Sequence, residues 1–140
     1  MYAIFDDSLI TGNKMIDAQH RELIEKINNL LKSCEDRSNK LGAIKMLDYL
    51  ADYTDFHFSE EEKLQKEIGY PGIEEHKTKH QELRQVVADL TEMLQEEEGP
   101  SDAFVQQVQV NIKDWLFGHI KTFDRSVAEY AQMHHHADLL

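Results

Sequence analysis

Stepped alternately by three and four residues, the chain shows four long stripes of mostly apolar side chains. The first runs Ile16, His20, Leu23, Ile27, Leu30, Cys34, and the second Ala43, Leu47, Leu50, Thr54, His57, Glu61, Leu64, Ile68. The third runs Ile73, His76, His80, Leu83, Val87, Leu90, Leu94, and the fourth Val105, Val108, Ile112, Trp115, His119, then Phe123 beside Asp124. Such spacing is the seam of packed amphipathic helices. Breakers fall between the stripes: Thr11-Gly12-Asn13, the polar run Cys34 to Asn39, Gly69-Tyr70-Pro71-Gly72 and Gly99-Pro100-Ser101-Asp102. The pattern predicts helices near 14–34, 39–68, 72–97 and 101–132, after an arm of residues 1–13 and before a tail of 133–140. Short connections make neighbouring helices antiparallel. The expectation is an all-α, up-down-up-down four-helix bundle forming one domain over 1–140.

Polar side chains interrupt those stripes at one level only. Apart from Thr54, the exceptions are His20, His57, Glu61, His76, His80, His119 and Asp124. An unpartnered neutral polar group costs roughly 2–7 kcal/mol to bury, and a charge costs more, so something must offset their placement. In an antiparallel bundle, a site early in one helix and late in the next lies at one end. His20 is early in its helix, His57 and Glu61 are late, His76 and His80 are early, and His119 and Asp124 are late. The His57/Glu61 and His76/His80 pairs, spaced four apart, each project from one helix face. His119 and Asp124 are five apart, a half-turn stagger that lets one bind terminally while the other reaches between two ions.

Five imidazoles and two carboxylates are too many ligands for one ion and suit a pair. Imidazole accepts iron, zinc, copper or nickel, and carboxylates bridge readily. No histidine follows a glutamate by three residues, so the Glu-x-x-His pair of ferritin-like di-iron proteins is absent and a histidine-rich centre is the better match.

Composition narrows the partners. A net charge of −12 and pI near 5.0 argue against nucleic acid and anionic membranes. Two prolines, six glycines and 30% charged residues fit a helical globule. The start lacks the basic and apolar regions of a secretory signal, and no apolar run approaches the ~18 residues of a membrane span. A cytoplasmic location is therefore expected. The single cysteine, Cys34, ends a stripe far from the polar level and reads as a buried thiol. Glu60 and Glu62 flank Glu61 but point away from its face, so they are not counted as ligands. His134-His135-His136 lies outside the bundle pattern and reads as a surface tail.

Several motifs carry a resemblance: Ile16-Asp17-Ala18-Gln19-His20, His57-Phe58-Ser59-Glu60-Glu61-Glu62, Tyr70-Pro71, His76-x3-His80, and Trp115-Leu116-Phe117-Gly118-His119-Ile120 followed by Asp124. Over residues 11–131 the chain resembles the hemerythrins, above all the single-domain bacterial ones. The resemblance implies two non-haem iron ions per chain with a bridging hydroxide, and reversible O2 binding rather than enzymatic turnover. His76, His80 and His119 would hold one iron and His20 and His57 the other, with Glu61 and Asp124 bridging. The iron with two imidazoles keeps one coordination position open for O2, and Leu23, Phe58, Trp115 and Phe117 are its expected apolar neighbours. The alternatives are an O2 or redox sensor acting through a protein partner, or a metal-binding protein with minor peroxidase or nitric-oxide chemistry. Tyr2 stands where the family often has tryptophan, and Leu64 where bacterial members often have methionine. Neither is a ligand. Gly118 in a helix interior costs about 1 kcal/mol relative to alanine.

Overall fold

The structure is a computed structural model describing the backbone of residues 2–139 and the side chains of residues 2–134. Three uninterrupted helices are α1 (Lys14–Ser33), α2 (Lys40–Ile68) and α3 (Ile73–Glu96). Their starts follow local chemistry. Asn13 accepts the Ile16 N–H at 3.0 Å, and Asn39 accepts the Gly42 N–H at 3.2 Å; each such cap stabilises a helix by about 1 kcal/mol. α2 stops at Gly69, whose φ of 67° is left-handed, with the Tyr70 N–H turned back onto the Gln65 carbonyl at 2.9 Å. Glycine takes that conformation without a Cβ clash. At the opposite end, a Cβ on Gly99 would lie 2.0 Å from the Arg37 carbonyl oxygen, so only glycine lets these two loops meet.

Contacts at both ends establish the antiparallel order. Lys40 at the start of α2 donates to the Gln95 carbonyl at the end of α3 at 2.7 Å, and Arg37 reaches Asp102 at 3.0 Å. At the other end, late α2 meets early α3. The N-terminal arm is packed down: Asn28 clasps the Ala3 backbone through both amide atoms, at 2.7 and 2.8 Å, and Leu9 is buried. Buried Asp17 accepts from the Thr11 N–H, the Thr11 hydroxyl and the Gly12 N–H, which fastens the arm to α1.

The fourth helix departs from its predicted form. It comprises α4 (Asp102–Gln107), a π-helical stretch Val108–Asp114, α5 (Trp115–His119), a second π-helical stretch Ile120–Asp124, and α6 (Arg125–Leu139). Its buried side chains are Phe104, Val108, Ile112, Leu116, Ile120, Asp124 and Ala128, a repeat of four, with His119 and Val127 beside them. An α-helix of 3.6 residues per turn drifts about 40° at each four-residue step. The wider π turns absorb that drift. The expected inward positions Val105 and Trp115 are therefore only half-buried, while Phe104, Leu116 and Ile120 point inward instead. The helix also runs past the expected end at 132, because no proline or glycine lies between Ser126 and Leu139. His134 is exposed and stacks on Tyr130, with ring centroids 4.0 Å apart; the side chains of His135 and His136 lie outside the described residues.

The core is divided in two. A large apolar cluster runs from the end where the Arg37 and Gly99 loops meet up to Leu116, Phe58 and Ile120. A small one, Ile16 with Val127 and Ala128, is flanked by Met15, Leu64, Ile68 and Tyr70. Between them lies the polar layer. Cys34 is fully buried and free in the large cluster, away from that layer.

Candidate metal centre

All seven side chains singled out by the stripes converge on this layer, and all are buried. Their ligand atoms form two groups, each within 4.8 Å: Glu61, His76, His80, His119 and Asp124 in one, and His20, His57, Glu61 and Asp124 in the other. Glu61 and Asp124 belong to both. α1 contributes His20, α2 His57 and Glu61, α3 His76 and His80, and the fourth helix His119 and Asp124.

The π turn explains how the last pair meets. In an α-helix, residues five apart point about 140° away from each other. The π-helical stretch Ile120–Asp124 widens the turn and brings Asp124 back onto the His119 face, with Oδ1 at 3.1 Å from Nε2. The half-turn stagger expected from the sequence is thus replaced by a common face. Asp124 Oδ1 also lies 2.8 Å from His76 Nε2, and Oδ2 lies 2.7 Å from His20 Nε2. Glu61 Oε1 sits 3.0 Å from His76 Nε2 and 3.1 Å from His80 Nε2.

Charge and burial conflict here. Burial pushes His57 down to about 3 and His80 down to about 2, with neighbouring His20 and His76, respectively, adding to the effect. Burial also works against a charged His76, but the hydrogen bonds it donates to Asp124 and Glu61 outweigh that and hold it up to about 9. Burial and then the charge of Asp124 raise Glu61 well above the carboxylate range. Burial opposes ionised Asp124, yet His119, His20 and His76 around it hold it well below. The ligand atoms are also crowded: His76 Nε2 lies only 2.9 Å from His119 Nε2.

The donor set fits a pair of metal ions. His57 Nε2 and Glu61 Oε2 are completely buried, face each other at 4.0 Å, and have no hydrogen-bond partner. Two such atoms in a dry interior are costly unless something electropositive lies between them. Five imidazole nitrogens with two shared carboxylates suit borderline ions such as iron or zinc.

Behind the ligand atoms is a layer that the stripes did not reveal. Gln19 Oε1 lies 2.6 Å from His57 Nδ1, and Gln65 Nε2 lies 2.9 Å from His76 Nδ1. Glu62, set aside as facing away from Glu61, lies with Oε2 2.7 Å from His80 Nδ1. Gln65 has a signal, being four residues after Glu61 and so on its face; Gln19 and Glu62 fall within motifs that carry the resemblance but lie off the stripes. Of the expected apolar neighbours, Leu23 and Phe58 are buried and Trp115 and Phe117 half-buried. Phe58 stacks on His80 at 3.7 Å, and its ring centroid lies 5.8 Å from that of His57. Trp115 and Phe123 stack on His119 at 4.5 and 5.2 Å.

Residues 11–131 match the family described as Hemerythrin HHE cation binding domain. The chain is 32% identical over 131 residues to a bacteriohemerythrin of Stenotrophomonas maltophilia, covering 94% of this chain and 82% of that protein. It is 30% identical to a bacteriohemerythrin of Clostridium acetobutylicum, covering 87% and 95%. A crystal structure of wild-type hemerythrin superposes with a TM-score of 0.79 at 27% identity, covering 91% of this chain and 96% of that one. With the fold, the polar layer and the sequence in agreement along nearly all its length, the chain belongs to the hemerythrin family.

Proposed function

We infer that this protein binds O2 reversibly at a non-haem di-iron centre, as a carrier, store or scavenger of O2 rather than an enzyme. The observation that supports it most is the division of the buried ligand atoms into a three-histidine and a two-histidine group sharing Glu61 and Asp124. His76, His80 and His119 would hold one iron, and His20 and His57 the other. Glu61 and Asp124, which belong to both groups, would be shared between the two. Bound there, the iron pair supplies the two electrons that reversible O2 uptake requires. The two-histidine side would give its iron one imidazole fewer, so a small ligand would bind on that side.

The protein's own groups then orient and exclude. Gln19 fixes the His57 ring from behind. With its amide turned over, Gln65 would place Oε1, which has no partner, on the His76 Nδ1–H and leave Nε2 for the metal. Leu23 and Phe58, with Leu116 and Ile120 beside His119, wall the layer with side chains that exclude water and deliver no proton. Cleavage of the O–O bond needs proton delivery, so an apolar wall favours binding and release over turnover. Residues 14–132 would serve as the binding unit, with 1–13 as its arm and 133–140 as its tail. No helix among the described residues is long and apolar enough to cross a membrane.

Iron(II) loading without air, followed by exposure to air and return to argon, tests the reading by visible absorption. A band that appears with O2 and vanishes under argon, at two irons per chain, is the expected result. A band that persists under argon overturns reversible binding and points to redox sensing or peroxide chemistry. Failure to load two irons overturns the di-iron centre.

A further inference from the structure

The five proposed metal-binding imidazoles differ in what lies behind them. His57 and His76 meet the neutral amides of Gln19 and Gln65. His20 Nδ1 and His119 Nδ1 have no hydrogen-bond partner. His80 alone of the five meets an anion at its outer nitrogen, with Glu62 Oε2 2.7 Å from Nδ1. Three residues of α2, spaced as positions i, i+3 and i+4 of one helix face, surround this one ring of α3. Phe58 lies flat on it at 3.7 Å and 7°, Glu61 Oε1 faces Nε2 at 3.1 Å, and Glu62 faces Nδ1. Two consecutive carboxylates thus reach opposite nitrogens of the same imidazole. The ring is fully buried, whereas the Glu62 side chain keeps 22% of its surface in water. Its carboxylate therefore stays hydrated while acting on a dry ligand.

We propose that Glu62 is a positioning residue of the metal centre: it accepts the His80 Nδ1–H, holds Nε2 toward the metal, and makes His80 the most electron-rich of the five imidazoles. A carboxylate behind a ligating histidine fixes the ring's tautomer and raises its basicity. The three-histidine half would then favour iron(III) more than the two-histidine half, whose known partner is an uncharged amide. The family likeness assigns Glu62 no role, and the proposal rests on the metal-binding reading above.

The test uses the full chain as wild type, Glu62→Gln and Glu62→Ala, loaded in one arm with zinc and in the other with iron. Zinc is diamagnetic, so the His80 Nδ1 proton can be followed by NMR without any O2 chemistry. In wild type that proton should resonate far downfield, move upfield in Glu62→Gln, and be lost to solvent exchange in Glu62→Ala. Zinc affinity should fall about 10- to 100-fold in Glu62→Ala and by less in Glu62→Gln, which keeps an acceptor oxygen. With iron, Glu62→Gln should weaken the preference for iron(III) about tenfold, a positive shift of about 59 mV for a one-electron couple. Unchanged zinc affinity and proton resonance in both variants overturn the positioning role, and unchanged potential in Glu62→Gln overturns the electronic one. If wild type takes up zinc but not two irons, the O2 reading fails while the zinc arm still judges Glu62. Should Glu62→Ala fail to fold, Glu62→Gln alone decides.

Discussion

At the scale of single residues, the shared carboxylates and the terminal imidazoles make different demands. Asp124 approaches His20, His76 and His119 at 2.7–3.1 Å, so it serves both halves of the layer. His57 belongs to one half only. Iron analysis should therefore find about one iron per chain in His57→Ala and markedly less than one in Asp124→Ala; equal losses would contradict the division. The titration of the metal-free chain is a second consequence. His76 is raised from 6.5 to about 9, so its contribution to stability is full below pH 6.5 and is lost as pH rises through about 9. His57 and His80 are lowered from 6.5 to about 3 and about 2, so their contribution is present above pH 6.5 and is lost as pH falls toward those values. Thermal melts of chelator-treated protein should peak near neutrality and decline on both sides. Metal should flatten the alkaline decline, because bound ligands no longer exchange that proton.

At the scale of elements, glycine gives two opposite outcomes from one substitution. Gly69 ends α2 at φ 67°, and Gly69→Ala should destabilise by about 1 kcal/mol. Gly118 lies in α5 with open space where a Cβ would be, and Gly118→Ala should stabilise by about 0.5–1 kcal/mol. Urea midpoints of the two variants check both signs. Helices one to three could be read closely from sequence, since their caps Asn13 and Asn39 and the Gly69 stop act locally. The fourth could not. Its two π-helical stretches leave no local mark, and a pattern of threes and fours assumes 3.6 residues per turn throughout. A uniform 3.6-residue turn therefore puts Trp115 on the inward stripe where Leu116 belongs, and makes the five-residue step from His119 to Asp124 a stagger.

At the scale of the whole molecule, the polar layer separates a large apolar cluster from the small cap of Ile16, Val127 and Ala128. Four helices meet in that layer through groups that repel or crowd one another unless a cation joins them. Metal binding to the folded chain alone adds about 2.7 kcal/mol at a hundredfold excess over Kd, a shift in Tm on the order of 10 °C for a chain of this size. Calorimetry before and after iron chelation should show a fall of that order. A melting temperature unaffected by chelation would mean that the layer is satisfied without metal.

The four amphipathic stripes, most of the stops between them and the seven polar positions that share one end of the bundle are all legible in the amino-acid order. Those signals are local or periodic, and side-chain periodicity together with short connections is enough to place them at one level. Which atoms face one another emerges from the folded arrangement: Glu61 and Asp124 lie between two groups of imidazoles, π turns rotate the fourth helix, and Gln19, Gln65 and Glu62 stand behind the ligands. Such pairings cross between helices or depend on backbone winding. Their geometry is set by the packing of all four helices at once, which no stretch of the chain encodes alone.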